Sequence, residues 1–193
     1  LNNSMADTIC QAQHTGKKKR MIKKILDFEP KIGKGSFIAE TAAVIGDVTI
    51  GEKSSVWYSA VIRGDVNKIR IGSKVSIQDG CVLHCSDGTA SIEIGDNVTI
   101  GHNATIHGCR IDDYCLIGMG STLLDNAHIG KGSIVAAGAL VLRNTMIGEG
   151  ELWGGVPARF IKKISPEAAD RLITPGVQHY EHWTEVYLLA DEG

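Results

Sequence analysis

The chain has 193 residues, of which 43% are hydrophobic and 22% charged, and its formal net charge is −2. These values predict one folded domain and exclude nucleic-acid binding driven by overall charge. Aromatic residues make up only 5% and glycines number 23, which argues against a conventional core of large side chains. No stretch approaches the roughly 18 consecutive apolar residues of a membrane span, so we expect neither a membrane nor a nucleic-acid partner.

The N-terminal stretch is polar and includes a basic run at residues 17–20. We expect residues 1–20 to be a solvated tail, either disordered or a non-native start. An apolar signal core is missing near the N-terminus, and the five cysteines lack the density of a disulfide framework. These features predict a cytoplasmic protein.

A six-residue repeat begins at Ile32, where an aliphatic anchor recurs every sixth position and is often followed by glycine. Three steps depart from six: nine residues from Ile62, eleven from Leu83 and five from Ile106. The anchors are Ile32, Ile38, Val44, Ile50, Val56, Ile62, Ile71, Ile77, Leu83, Ile94, Ile100, Ile106, Ile111, Ile117, Leu123, Ile129, Val135, Val141 and Ile147.

This period excludes an α-helix, whose apolar stripe recurs at 3.6 residues, and a flat sheet would show alternation without a turn at every sixth residue. A coil of three short strands with a corner after each accounts for the pattern. We therefore predict a mainly β fold over residues 21–164, a parallel β-helix with the shape of a triangular prism. The spacing leaves its handedness open.

The C-terminal segment, residues 165–193, carries helix signals. Ser165 and Pro166 are typical of a helix start, and residues 174–176 (Thr-Pro-Gly) predict its end. A second helix with an apolar stripe from Val177 to Leu188 should follow. We expect this segment to pack on the prism and to cover part of it.

Two histidines, His84 and His107, directly follow anchors. If the step after Leu83 is one hexad plus a protruding loop, the two imidazoles lie side by side on adjacent coils, as two ligands of one metal would. If the loop forms a full strand instead, His84 stacks on His102. Both alternatives are compatible with the sequence.

In the first alternative His102 sits on a neighbouring face, where it cannot reach His84 and His107 within one chain. In the second, His107 is the histidine on a different face, so one ligand has to come from another chain in either case. A cyclic trimer would bring these faces together. Three histidines with an open fourth position form the ligand set of a catalytic zinc. Imidazole also suits iron and cobalt, so we expect Zn²⁺, with Fe²⁺ or Co²⁺ possible on the same ligands.

Four segments resemble the γ-class carbonic anhydrases: AVIRGDV (60–66), IQDGCVLH (77–84), GHNATIHGC (101–109) and IGMGS (117–121). The resemblance covers residues 21–190. It implies a left-handed β-helix that forms a homotrimer, with the metal held by His84 and His107 of one chain and His102 of the adjacent subunit. It also implies reversible hydration of carbon dioxide to bicarbonate by a metal-bound hydroxide.

Other family roles fall on matching residues. Arg63 and Asp65 resemble a pair that forms interface salt bridges, and Asp79 resembles the carboxylate that joins them. Gln78 resembles the residue that hydrogen-bonds the hydroxide. Tyr180 resembles a tyrosine that overhangs the metal.

The family's prototype has a long acidic loop with proton-shuttling glutamates, and this sequence departs from it. Val66 follows Asp65 where an acid is expected, and the loop after His84 is only CSDGTASIE. Asp87 is the remaining candidate for a proton relay, so we expect low turnover. Two other functions stay open: a hexapeptide-repeat acyltransferase that uses acetyl-coenzyme A, and a metal-binding scaffold with little catalysis.

Overall fold

Short strands dominate the computed structural model, which describes residues 20–192. The predicted tail over residues 1–20 lies outside the described residues, apart from Arg20. The strands are β1 (Met21–Lys23), β2 (Lys31–Ile32), β3 (Phe37–Ile38), β4 (Ala43–Ile50), β5 (Ser55–Val56), β6 (Val61–Ile71), β7 (Ser76–Ile77), β8 (Val82–His84), β9 (Ile92–Ile94), β10 (Thr99–Ile100), β11 (Thr105–His107), β12 (Arg110–Ile111), β13 (Leu116–Ile117), β14 (Thr122–Leu123), β15 (His128–Ile129), β16 (Ile134–Val135), β17 (Leu140–Val141), β18 (Met146–Ile147), β19 (Glu151–Gly154) and β20 (Arg159–Lys163), and the helix is α1 (Pro166–Glu192).

Every anchor of the repeat pairs with an anchor one coil away, in parallel register. Face 1 carries Ile32, Ile50, Ile71, Ile94, Ile111, Ile129 and Ile147; face 2 carries Ile38, Val56, Ile77, Ile100, Ile117 and Val135; face 3 carries Val44, Ile62, Leu83, Ile106, Leu123 and Val141. The predicted left-handed β-helix with three hexads per coil is thereby confirmed.

The core is a column of aliphatic side chains inside the three faces. Ile62, Leu83 and Ile106 on face 3 have no exposed surface, and the anchors of the other faces are buried as well, except Ile32 at the start of the stack, which is partly buried. Burying each such side chain contributes about 1.5–3 kcal/mol. Because strand pairing satisfies the backbone groups of each coil on its neighbours, the aliphatic column and the backbone ladder stabilise the same stack.

Many corners turn at a residue with positive φ, three positions after the anchor. Asn103, Asn126 and Asn144 adopt φ values of 58°, 58° and 60°. Asparagine tolerates this left-handed conformation better than most residues. The corner at Asn103 takes the chain from face 2 to face 3, and it fixes the position of His102 just before the turn.

One helix covers face 2, where two were predicted. Ser165 caps it, since its Oγ accepts a hydrogen bond from the amide of Ala168 at 3.2 Å. The helix then continues through Pro175 to Glu192, so the predicted break at residues 174–176 is wrong. Packing on both sides of Pro175 explains the difference: Ile173 is fully buried before it, and Tyr180 packs on the prism after it.

An aromatic cluster attaches α1 to the prism. The ring of Trp57 lies 5.4 Å from that of Tyr180 and 5.1 Å from that of Tyr187, and Phe37 lies 5.2 Å from Tyr187. Edge-on contacts of this kind add to the free energy of apolar burial. Within residues 20–192, no helix has the length and hydrophobicity needed to cross a membrane.

The glycines after the anchors let adjacent coils approach, which yields a test of the stacking. A Cβ on Gly118 would lie 2.3 Å from the backbone nitrogen of Ala137 on the next coil. Because that backbone is tied into the ladder, we predict that Gly118→Ala lowers the free energy of unfolding by about 3 kcal/mol, measured by urea denaturation.

The matched control is Gly176→Ala in α1, where a Cβ would meet its nearest neighbour at 3.5 Å. This substitution should raise the free energy of unfolding by up to about 1 kcal/mol, because alanine favours the helix. Equal effects of the two substitutions would contradict the proposed close approach of the coils.

Candidate metal centre

The candidate site lies along one edge of the prism, between faces 3 and 1, which we term the site edge. All three steps of irregular length occur at this edge on successive coils, after Ile62, Leu83 and Ile106. The strands place Arg63, His84 and His107 in register with one another across these coils.

The imidazoles of His84 and His107 face each other. His84 Nδ1 lies 3.3 Å from His107 Nε2, and both side chains are partly exposed. Residues after His84 form a small loop closed by a bridge between Ser86 and Ala90, and β9 then resumes on face 1. The prediction that His84 pairs with His107 is confirmed, and the alternative stacking on His102 is excluded.

Each of these imidazoles contacts a carboxylate through its other nitrogen. His84 Nε2 lies 3.2 Å from Asp65 Oδ1, and His107 Nδ1 lies 2.5 Å from Asp125 Oδ1. A carboxylate only accepts, so in the neutral form of each imidazole the proton lies on the outer nitrogen and the facing nitrogen carries a lone pair. Two facing lone pairs at this distance are stabilised by a cation between them.

The donor geometry fits a metal ion. Two histidine nitrogens bound to a tetrahedral zinc at about 2.0–2.1 Å are about 3.4 Å apart, close to the separation observed here. Within residues 20–192, however, no group of three or more His, Cys, Asp or Glu side chains of one chain could hold a metal. One chain therefore offers two imidazoles at the site edge.

Asp65 is also bonded to Arg63, whose Nη1 donates to Asp65 Oδ2. Burial alone would raise the pKa of Asp65, but the hydrogen bonds from Arg63 and from the backbone amide, with the Arg63 charge, lower it below its ordinary value. Asp65 is thus an ionised partner for His84. The predicted Arg63–Asp65 pair forms within one chain.

His102 lies at a different edge, between faces 2 and 3. Its Nδ1 is 2.9 Å from Asp79 Oδ2, its Nε2 is 3.4 Å from the Tyr180 hydroxyl, and its amide donates to Gln78 Oε1 at 3.1 Å. The structure therefore brings three sequence-predicted residues to His102. Within the chain, the partner of Asp79 is this histidine.

Asp87 is exposed in the loop after His84, where it is open to solvent. Asp125 is the functional candidate that sequence reasoning missed. It is 6% exposed and lies at the site edge, one coil beyond His107. The signal was available: the register of Ile106 with Leu123 places Asp125 opposite Gly108.

Comparisons with known proteins show the family of the chain. The family model described as Bacterial transferase hexapeptide (six repeats) matches residues 91–125 and 108–143. The chain is 54% identical to a probable carbonic anhydrase of Methanocaldococcus jannaschii, over 70% of this chain and 85% of that protein. The chain belongs to the γ-class carbonic anhydrase family.

A mitochondrial gamma carbonic anhydrase 1 of Arabidopsis thaliana is 49% identical to this member of the γ class, over 77% of the chain. The match spans 56% of that relative's length. A crystal structure of a putative acetyltransferase from Bacillus cereus is also similar, with a TM-score of 0.79 and 39% identity, over 86% of this chain and 98% of that one.

The contact between α1 and His102 yields a prediction. Trp57 is 6% exposed and packs against Tyr180, so Trp57→Ala should cost about 3–5 kcal/mol of stability and loosen α1 from face 2. Hydrogen exchange should then rise across residues 166–192 and at the His102 amide. Trp183→Ala, which truncates a tryptophan that is 40% exposed, should leave both regions protected. Equal hydrogen exchange in the two variants would show that Trp57 does not hold α1 against face 2.

Proposed function

We propose that the protein is a γ-class carbonic anhydrase that hydrates carbon dioxide to bicarbonate reversibly, with low turnover. The observation that carries the proposal is the facing pair His84 and His107, each oriented by a carboxylate. Histidines that bind zinc in proteins usually donate their other ring N–H to a carboxylate or a backbone carbonyl, which orients the ring. Membership of the family makes zinc the expected ion, with Fe²⁺ or Co²⁺ as alternatives on the same donors.

The third ligand in this proposal is His102 of the adjacent subunit in a homotrimer. His102 lies at another edge of the prism, so a second copy is needed to bring it to the site edge. Face 3 lies between the two edges that carry the histidines, and in this proposal it contacts the next copy. Its strand β8 carries the exposed apolar side chain of Val82, at 40%. Because Asp79 contacts His102, the same assembly brings Asp79 near Arg63 and Asp65 of the adjacent subunit. This position suits the interface role proposed for Asp79.

When bound, zinc lowers the pKa of water to about 7 and so supplies hydroxide at neutral pH. The protein's own residues orient the reacting oxygen and carry the released proton to solvent. Gln78 accepts from the His102 amide through Oε1, which leaves its amide nitrogen free to donate to the reacting oxygen. The Tyr180 hydroxyl lies beside His102 and limits access of water from the helix side.

The hydration of carbon dioxide also releases one proton, which has to reach solvent. Asp87 is the exposed carboxylate in the loop beside His84, and we assign it the relay. A single carboxylate on a short loop offers few sites for proton transfer, which is the reason for proposing low turnover. The four described cysteines are buried free thiols, in keeping with the proposed cytoplasmic location.

A second candidate is an acyltransferase that uses acetyl-coenzyme A, favoured by the likeness to the Bacillus cereus putative acetyltransferase. Because the same fold occurs with both activities, only the chemistry of the site can distinguish the two functions. Acetyl transfer from acetyl-coenzyme A by metal-free protein would support this candidate. Bound metal with carbon dioxide hydration no faster than background would instead indicate a metal-binding scaffold.

The shared site can be tested by mixing two inactive variants. His102→Ala and His107→Ala should each abolish zinc binding and carbon dioxide hydration. In trimers reassembled from equal amounts of the two, about one interface in four combines intact histidines from both chains. We therefore predict recovery of about a quarter of the zinc content and activity.

The matched control is His128→Ala, which truncates a partly exposed imidazole that is also paired with an aspartate. This variant should retain full zinc content and activity. If the mixture of His102→Ala and His107→Ala recovers neither, or if either variant alone keeps its zinc, the site is not shared between subunits as proposed.

A further inference from the structure

Asp125 is the most constrained carboxylate beside the candidate site. Its Oδ1 accepts a hydrogen bond from His107 Nδ1 at 2.5 Å. Its Oδ2 accepts one from Ser86 Oγ at 2.8 Å and forms an ion pair with Arg143 Nη2 at 3.0 Å. These three contacts fix the orientation of the carboxylate.

The absence of a side chain at Gly108, next to His107, allows Asp125 on the adjacent coil to reach His107. The five-residue step after Ile106 places Gly108 in the left-handed conformation at φ 53°. A Cβ at Gly108 would lie 2.5 Å from Asp125 Oδ1, so only glycine leaves room for the carboxylate there. The five-residue step and Gly108 thus make room for Asp125, and the carboxylate orients the imidazole of His107.

From this geometry we propose that Asp125 is a positioning residue that fixes His107 in the tautomer able to bind metal, with its lone pair on Nε2. This inference rests on the proposed function, since it concerns the same metal site. Ser86 and Arg143 complete the arrangement, because both occupy Oδ2 and leave Oδ1 to face His107. Supporting carboxylates of this kind raise metal affinity by about 10-fold to 100-fold.

The arrangement makes Asp125→Asn a directed test. Arginine has no acceptor, so the carbonyl of Asn has to turn to Arg143 and its NH₂ group to His107. His107 Nδ1 then accepts, and the proton moves to Nε2, where it blocks the metal. We predict a loss of zinc affinity of about 10-fold to 100-fold, measured by competition with a chromophoric chelator. Nitrogen-15 NMR of the zinc-free variant should report the switched tautomer.

A double variant separates this effect from simple damage to the fold. In Asp125→Asn combined with Arg143→Met, Ser86 can turn to accept, so the Asn carbonyl can face His107 again. The double variant should therefore bind zinc more tightly than Asp125→Asn alone. Arg143 is 68% exposed at its side chain, so its replacement should not disturb folding. Additive loss in the double variant would overturn the proposed orientation.

The matched control is Asp112→Asn, which alters an aspartate bonded to His128 at 2.8 Å and to Arg110 at 2.9 Å, away from the site edge. Its zinc affinity should equal that of the unmodified protein. If the protein and the control bind zinc through His107 but Asp125→Asn binds it equally well with an unchanged tautomer, the role of Asp125 is overturned and the proposed function stands. If the unmodified protein binds no zinc, or His107→Ala binds it equally, the proposed function falls and the metal role of Asp125 with it.

Discussion

The hydrogen-bonded register between successive coils is the constraint on which the structure depends. Each anchor lies on the anchor of the next coil, so the position of a residue in its hexad decides whether it faces the core or solvent. The spacing between coils tolerates few added atoms, because a Cβ at Gly118 would meet the backbone of the neighbouring coil. Variation is confined to the corners, and the irregular corners gather at one edge. A rigid ladder thereby holds the functional side chains at fixed separations without a dedicated pocket.

Two features of the ladder position the site residues: the strand register, and the carboxylates that bond to the imidazoles. Strand register brings His84 and His107 within 3.3 Å, and Asp65 and Asp125 orient the two rings from outside. His102 is supported separately at another edge by Asp79 and Tyr180. One chain thus carries two incomplete ligand groups on different edges, which is the physical reason for proposing a shared site in a homotrimer. Helix α1 enters this scheme because its aromatic contacts place Tyr180 over His102.

Much of this could be predicted from the sequence because a six-residue period translates directly into register. The anchors and the three-sided coil required only the spacing, whereas the pairing of His84 with His107 depended on whether residues 84–93 form a full strand or include a protruding loop. Handedness came from the family resemblance. The predicted helix break at residues 174–176 failed because local propensity cannot weigh the packing of Ile173 and Tyr180 on either side of Pro175. Asp125 was missed because the register places it opposite Gly108 and not opposite His107, so its contact with His107 depends on the room that the glycine leaves.

The most direct test of the account is an anomalous-scattering map of crystals grown with zinc. The account predicts one zinc ion at each subunit seam, bound by His84 Nδ1 and His107 Nε2 of one chain and by His102 of the adjacent subunit, with Asp125 still bonded to His107 Nδ1. Zinc at another position, such as the pair His128 and Asp112, or a crystal in which His84 and His107 share no ion, would contradict it.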